Sequence, residues 1–261
     1  MKNIAIIGGG NLGTAIAAGL LKSKFCAPEN ITVTKRNVHT LQALKEQGVN
    51  IHSDNSRAVK ENDVIILAIK PFQIKEILED IKANITEKHL LISVVTGITL
   101  EEMRGIIGST CGLIRAMPNT AIAIQQSMTC ISGDAVKEED RLFTEKLFNN
   151  LGKAIHIDEK LMNAATVLGA CGTAYAMRYI RANIQGGIEI GFDAATASII
   201  AAQTVKGAAE LLLTSNTHPE QEIDKVTTPK GCTIAGLNEM EHRGFSSSLI
   251  KGISASYKKI S

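Results

Sequence analysis

The chain has 261 residues, 44% hydrophobic and 21% charged, with no Trp and 3% aromatics, so a soluble globular core must be built from Ile, Leu, Val and Ala. Its 28 basic and 26 acidic residues give a net charge of +2 and form no basic stripe interleaved with aromatics, which argues against nucleic acid as a partner. The five cysteines make no C-x-x-C pair, the six His are scattered, and no uncharged apolar run approaches the ~20 residues that span a bilayer. Reduced thiols, no metal site, no membrane insertion and a cytoplasmic location are the expectations.

In chain order, an apolar run over residues 3–7 reads as a strand. Gly8-Gly9-Gly10-Asn11 interrupts it too early for a signal peptide, and a helical pattern follows over 12–22. Strands are expected at 31–34, 64–68, 90–94 and 113–116, with helices at 41–47, 72–81 and 138–150. Continuous apolar strands such as Val64-Ile65-Ile66-Leu67-Ala68 suit a parallel sheet covered on both faces. This alternation predicts a doubly wound α/β domain of Rossmann type with a mainly parallel sheet. Beyond Asp158 the pattern turns helical, over 162–190, 194–213, 233–241 and 246–258. Gly191 stands where the first of these should end and Asp193 where the second should be capped. The division is therefore 1–158, a dinucleotide-binding domain, and 159–261, an all-α dimerisation and substrate domain. Ala- and Gly-rich helix faces there are too apolar to leave in water, which predicts a homodimer or a larger homo-oligomer.

Gly8-Gly9-Gly10-Asn11-Leu12-Gly13 satisfies G-x-G-x-x-G after a strand and at the opening of a helix, the context that motif requires. Gly8 permits the tight turn, Gly10 lets backbone approach a pyrophosphate, and Gly13 allows helix and strand to pack closely. The N–H groups at the helix start, from Asn11 and Leu12 onward, face the phosphates. An NAD site places an acid at the end of the second strand. This chain has Thr34-Lys35-Arg36-Asn37 instead, two cations and a hydroxyl able to hold a 2′-phosphate. NADPH is thus the expected cofactor, with NADH as the alternative. Asp54-Asn55-Ser56 and Ile69-Lys70-Pro71 fall at the carboxyl edge of the sheet, and Pro71 suits the first position of a helix. Arg115-Ala-Met-Pro-Asn-Thr120 is expected to lie at the same edge.

Together these motifs resemble the pyrroline-5-carboxylate reductase family. Gly8–Gly13, Ala68-Ile-Lys70-Pro71 and Arg115-Ala-Met-Pro-Asn119 match its N-terminal landmarks in order. Gly172-Thr-Ala-Tyr175, Gln203-Thr-Val-Lys206-Gly-Ala-Ala209, His218-Pro-Glu220 and Asp224-Lys-Val-Thr-Thr-Pro-Lys-Gly-Cys-Thr233 match its helical half. The resemblance covers essentially the whole chain. It implies a Rossmann domain followed by a helical domain that interlocks with a second subunit, both protomers contributing to the active site. It also implies that Asn55, Ala68 and Lys70 contact the dinucleotide. By the same resemblance Thr228, Gly231 and Cys232 hold a substrate carboxylate, and Thr233 hydrogen-bonds a ring nitrogen. The chain departs from the family pattern at Lys230 (usually the first of two glycines), Thr173 (usually proline), Cys171 (usually serine) and Ala121 (usually proline).

The implied reaction is hydride transfer from a reduced nicotinamide to the C=N carbon of 1-pyrroline-5-carboxylate, giving L-proline. The cofactor carries the chemistry, and the protein supplies position and electrostatics. Thr233 is too weak an acid to be the proton source, so it orients the nitrogen while solvent gives the proton. The N–H groups of residues 231–233, at a helix start, are expected to bind the carboxylate. No Cys–His or Ser–His–Asp arrangement suggests covalent catalysis; Cys171, Cys232, Tyr175 and Tyr179 read as packing residues. The alternatives are a related cyclic imine, a small β-hydroxy acid with Lys206 as the candidate acid/base, or a non-catalytic dinucleotide-binding regulator.

Overall fold

The computed structural model describes residues 2–108, 111–134 and 136–260. The first half runs β1 (Ile4–Ile7), α1 (Asn11–Ser23), β2 (Ile31–Thr34), α2 (Gln42–Lys45), β3 (Asn50–His52), α3 (Asn55–Lys60), β4 (Val64–Leu67) and α4 (Ile74–Ile81). Next come β5 (Leu90–Ser93), α5 (Leu100–Ile107), β6 (Gly112–Met117), β7 (Ser127–Asp134), α6 (Glu138–Asn149) and β8 (Gly152–His156). Among the described residues eight strands form one sheet, in the order β3-β2-β1-β4-β5-β6-β7-β8. Neighbours are parallel except β6 and β7, which are antiparallel.

Period-2 alternation builds a core on each face. Ile4, Ile6, Val64, Ile66, Leu90 and Ile92 pack with Ile16 and Leu20 of α1. Ala5, Ile7, Ile65, Leu67 and Leu91 turn the other way, against Val59 of α3 and Ile74 and Leu78 of α4. Each fully buried Ile or Leu contributes roughly 1.5–3 kcal/mol, which is why the central strands read as unbroken apolar runs. Register aligns their ends: Ile7 lies beside Thr34 and Leu67, Leu67 beside Ser93, and Ser93 beside Arg115. One level carboxyl edge results, and the strand order reverses between β1 and β4 along it.

Three strands escape the apolar-run pattern. β3 is a short edge strand, β8 is largely exposed, and β7 interleaves Ser127, Thr129 and Ser132 with its apolar residues. Helices α3 and α5 were also unmarked by periodicity, although α5 carries a capping box in which Thr99 and Glu102 bond each other's backbone N–H. The motif from Arg115 to Thr120 straddles the edge: Arg115 lies inside β6, buried, with Nη1 donating to Glu159 Oε1 at 3.0 Å.

The expected helix over 162–190 is three segments: α7 (Met162–Ala165), a π-helical stretch (Thr166–Cys171) and α8 (Gly172–Glu189). α9 (Ala194–Ser215), α10 (Pro219–Lys225), α11 (Cys232–His242) and α12 (Phe245–Ile260) follow. The chain divides into two compact units, Met1–Cys171 with Ile260–Ser261, and Gly172–Lys259. Residues 159–171 pack with the sheet because Glu159 Oε1 takes the Leu100 N–H at 2.7 Å as well as Arg115. In the second unit Gly191 ends the first helix with φ +116, and Asp193 caps α9 by accepting from the N–H of Ala195 and Thr196. A Cβ on Gly187 would meet the Ala197 Cβ at 3.1 Å, so the small residue sets how closely α8 approaches α9. Tyr175 donates to the Ser256 hydroxyl at 2.6 Å, and Tyr179, partly exposed, sits against Phe245. Among the described residues no helix is long and apolar enough to cross a membrane.

Candidate active site

A groove of about 670 Å³ runs along the carboxyl edge of the sheet, across the point where the strand order reverses. Gly8, Gly10, Asn11, Leu12, Lys35, Arg36, Asn55, Ala68, Lys70 and Pro71 all line it. Gly8 has φ +107, and a Cβ there would lie 2.6 Å from the Ala68 carbonyl oxygen. Gly13 stands behind the groove, where a Cβ would lie 2.0 Å from the Gly8 carbonyl oxygen. At Gly10 nothing lies within 4 Å of a built Cβ, so that side is open for close backbone approach. α1 then starts with neither a side-chain cap nor an acid in its first turn. Its N–H groups and dipole therefore face the groove uncompensated, a cradle for a pyrophosphate.

Pyrophosphate at α1 assigns the two ends. Toward β2, Lys35 is half-buried and Arg36 exposed, and among the described residues neither takes part in an ion pair. A dinucleotide laid along this edge would place its adenosine here, where the two cations could take a 2′-phosphate. The Thr34 hydroxyl does not join them, contrary to the sequence-based expectation. Thr34 is buried, its hydroxyl donates to Asn55 Oδ1 at 2.6 Å, and its carbonyl accepts the Gly9 N–H at 2.7 Å. Thr34 thus ties the glycine turn to Asn55. Pro71 begins a short 3-10 turn, its expected place.

The opposite end is walled by Val94, Val95 and Thr96 after β5, Met117 at the end of β6 with Pro118 to Thr120 beyond it, and Ala170 of the π-helical stretch. Sequence patterns did not mark Val94–Thr96 or Ala170; the end of an apolar strand was the available signal for the former. Asn119 is fixed here by three bonds. Its N–H donates to Ser127 Oγ at 3.0 Å, its Oδ1 accepts the Ala121 N–H at 3.0 Å, and its Nδ2 donates to the Gly169 carbonyl at 3.1 Å. Ala121 stands where proline was expected, and a proline would lack the N–H that holds Oδ1.

In the helical unit, Thr228, Gly231, Cys232 and Thr233 come together in one turn. The Gly231 N–H donates to the Thr228 carbonyl at 3.0 Å, with Pro229 and Lys230 at the turn's centre and Lys230 at φ +60. This is the type II arrangement, in which glycine is favoured at the second central position. Lys230 therefore keeps the backbone conformation a glycine would take. A Cβ on Gly231 would lie 2.5 Å from the Thr228 hydroxyl, so the turn closes on a glycine. The expectation that residues 231–233 all offer N–H groups is corrected: that of Gly231 is spent in the turn. The donors at the start of α11 are those of Cys232, Thr233 and Ile234, again with no side-chain cap and no acid in the first turn. By contrast α5 and α9 are side-chain capped and α6 has three acids in its first turn. Cys232, read as a packing residue, is exposed in the protomer. Among the described residues no group of three or more His, Cys, Asp or Glu could hold a metal ion.

Residues 159–261 match the family model described as pyrroline-5-carboxylate reductase dimerisation, and residues 3–97 match one described as NADP oxidoreductase, coenzyme F420-dependent. Pyrroline-5-carboxylate reductase 1 of Dictyostelium discoideum is 48% identical over 99% of this chain, which spans about half (49%) of that relative's length. Pyrroline-5-carboxylate reductase 2 of the same organism is 47% identical, the alignment covering 100% of this chain and 92% of the relative. The crystal structure of Plasmodium falciparum pyrroline carboxylate reductase with NADP bound superposes with a TM-score of 0.90 at 26% identity, covering 99% of this chain and 96% of that one. On this identity along the full chain, together with the fold and the glycine cradle, the chain belongs to the pyrroline-5-carboxylate reductase family.

Proposed function

We propose that this chain reduces 1-pyrroline-5-carboxylate to L-proline with NADPH, NADH being the weaker cofactor. The observation that carries the reading is the pair of uncapped helix starts. α1 opens on the dinucleotide groove, and α11 opens behind the Thr228–Gly231 turn with the Thr233 hydroxyl in its first turn. Each is a ready anion site, one for a pyrophosphate and one for a carboxylate. The names of the relatives support the same substrate.

The groove fits the dinucleotide through the glycine cradle. Gly8, Gly10, Asn11 and Leu12 would hold the pyrophosphate, Lys35 and Arg36 the 2′-phosphate, and Asn55, Ala68, Lys70 and Pro71 the flanking riboses. When bound, the reduced nicotinamide supplies the hydride that converts the ring C=N to C–N. The chain's own part is placement. Thr228, Gly231 and Cys232 shape the turn, the first N–H groups of α11 bind the carboxylate, and the Thr233 hydroxyl orients the ring nitrogen while solvent protonates it. Residues 159–261 are the dimerisation and substrate domain in this reading, as the matching family model supports. The protein acts as a homodimer or larger assembly, in the cytoplasm; free thiols at Cys26, Cys130, Cys171 and Cys232 suit a reducing compartment. Lys206, the candidate for hydroxy-acid chemistry, is exposed on α9.

The test is dinucleotide oxidation with 1-pyrroline-5-carboxylate, a piperideine carboxylate and small β-hydroxy acids, each with both cofactors. The five-membered imine with NADPH is expected to give the highest kcat/KM. Absence of activity on either imine overturns the reading, and a marked NADH preference overturns the role of Lys35 and Arg36.

A further inference from the structure

The end of the groove lined by Met117 to Thr120 and Ala170, which would receive the nicotinamide, contains a device that the hydride-transfer reading does not use. Ala170 belongs to the π-helical stretch Thr166–Cys171, where the helical ladder changes step between α7 and α8. Such breaks are where a side chain can take a main-chain carbonyl. Here Asn119 Nδ2 takes the Gly169 carbonyl at 3.1 Å, one residue before the Ala170 wall. The carboxamide has one permitted orientation, because its Oδ1 faces the Ala121 N–H at 3.0 Å and its Nδ2 faces a carbonyl.

We infer that Asn119 is a positioning residue for the reaction. Its amide latches the π-helical stretch and thereby sets the Ala170 wall against which the nicotinamide would lie. Asn119 also joins that wall to β6 and, through its backbone N–H on Ser127, to the start of β7. The wall that would face the hydride donor ring is thus held from two parts of the sheet edge. The inference rests on the reductase reading for the identity of the ring.

Asn119→Asp is the discriminating variant. It is nearly isosteric and keeps an acceptor for Ala121, but it sets a carboxylate oxygen against the Gly169 carbonyl and removes the donor. Amide exchange over residues 166–171 in the ligand-free protein should quicken about tenfold, the loss of one hydrogen bond. With dinucleotide, kcat should fall about tenfold or more while the dinucleotide Kd stays within about threefold, since cradle and cations are untouched. The fluorescence of bound reduced nicotinamide should change with kcat. Asn119→Ser, which retains a cap for Ala121, serves if the aspartate variant does not fold, with the same expectations. Parental exchange over 166–171, or faster exchange with parental kcat and fluorescence, overturns the inference. Should the parent protein reduce no imine, the substrate reading falls, while exchange and fluorescence still decide for or against the latch.

Discussion

Lys230 holds φ +60 with a side chain where a glycine would be free of strain. A Cβ in the left-handed region costs roughly 1 kcal/mol, and glycine returns a similar amount through its looser unfolded state. Lys230→Gly should therefore change stability by less than about 1 kcal/mol in urea melts. Because the exchange removes a cation next to the α11 start, KM for the imine carboxylate should rise about two- to fivefold at unchanged kcat, the mark of uniform binding. Gly231→Ala, whose Cβ would sit 2.5 Å from the Thr228 hydroxyl, should instead raise KM and depress kcat together. Thr233→Ala should lower turnover by about one to three orders of magnitude, the range for one positioned hydrogen bond, measured at saturating imine. The glycine cradle and this turn were legible in the sequence because each is a local motif whose backbone demands fall on adjacent residues. Asn119 was marked only as part of the motif from Arg115 to Thr120; its bond to the Gly169 carbonyl, next to Ala170, was not legible, because it spans 50 positions. Thr34 misled for a related reason: a hydroxyl beside two cations looks like a phosphate ligand until Asn55 is seen to take it.

Among the elements, the central strands were legible because burial on both faces leaves an uninterrupted apolar run. β3, β7 and β8 lack that run: an edge strand is half-solvated, and β7 alternates small polar residues with apolar ones. The break between α7 and α8 was invisible to periodicity, because a π-helical stretch keeps the apolar residues helical while shifting their phase. The Asp193 cap was legible, and it carries a pH prediction. Hydrogen bonds from Thr196, and secondarily from the Ala195 backbone, hold its carboxyl below the ordinary aspartate value of 3.8. A depressed folded-state pKa contributes stability that is present above 3.8 and lost as pH falls through the lower folded value. Asp193→Asn should accordingly be less stable than the parent at neutral pH and converge with it in acid, as read by denaturation midpoints across that range. A constant gap at every pH would contradict the assignment.

For the whole molecule, the sheet unit closes its own core while the helical unit does not. No residue of α8, α11 or α12 is fully buried within the protomer, and Ile190 and Ile199 are 78% and 72% exposed. Apolar surface of this kind needs a covering partner, consistent with the dimerisation family that residues 159–261 match. Light scattering on a sizing column should give at least twice the 27.9 kDa chain mass, with no monomer at micromolar concentration. The two halves differed in legibility for the same reason: a core closed within one chain leaves a pattern in that chain, whereas a face meant for a second copy reads only as excess apolar surface. The central claim is best tested by the product. Purified protein, NADPH and 1-pyrroline-5-carboxylate should yield one L-proline for each dinucleotide oxidised, identified by chiral amino-acid analysis. Oxidation no faster than the protein-free rate, or oxidation without proline, would contradict it.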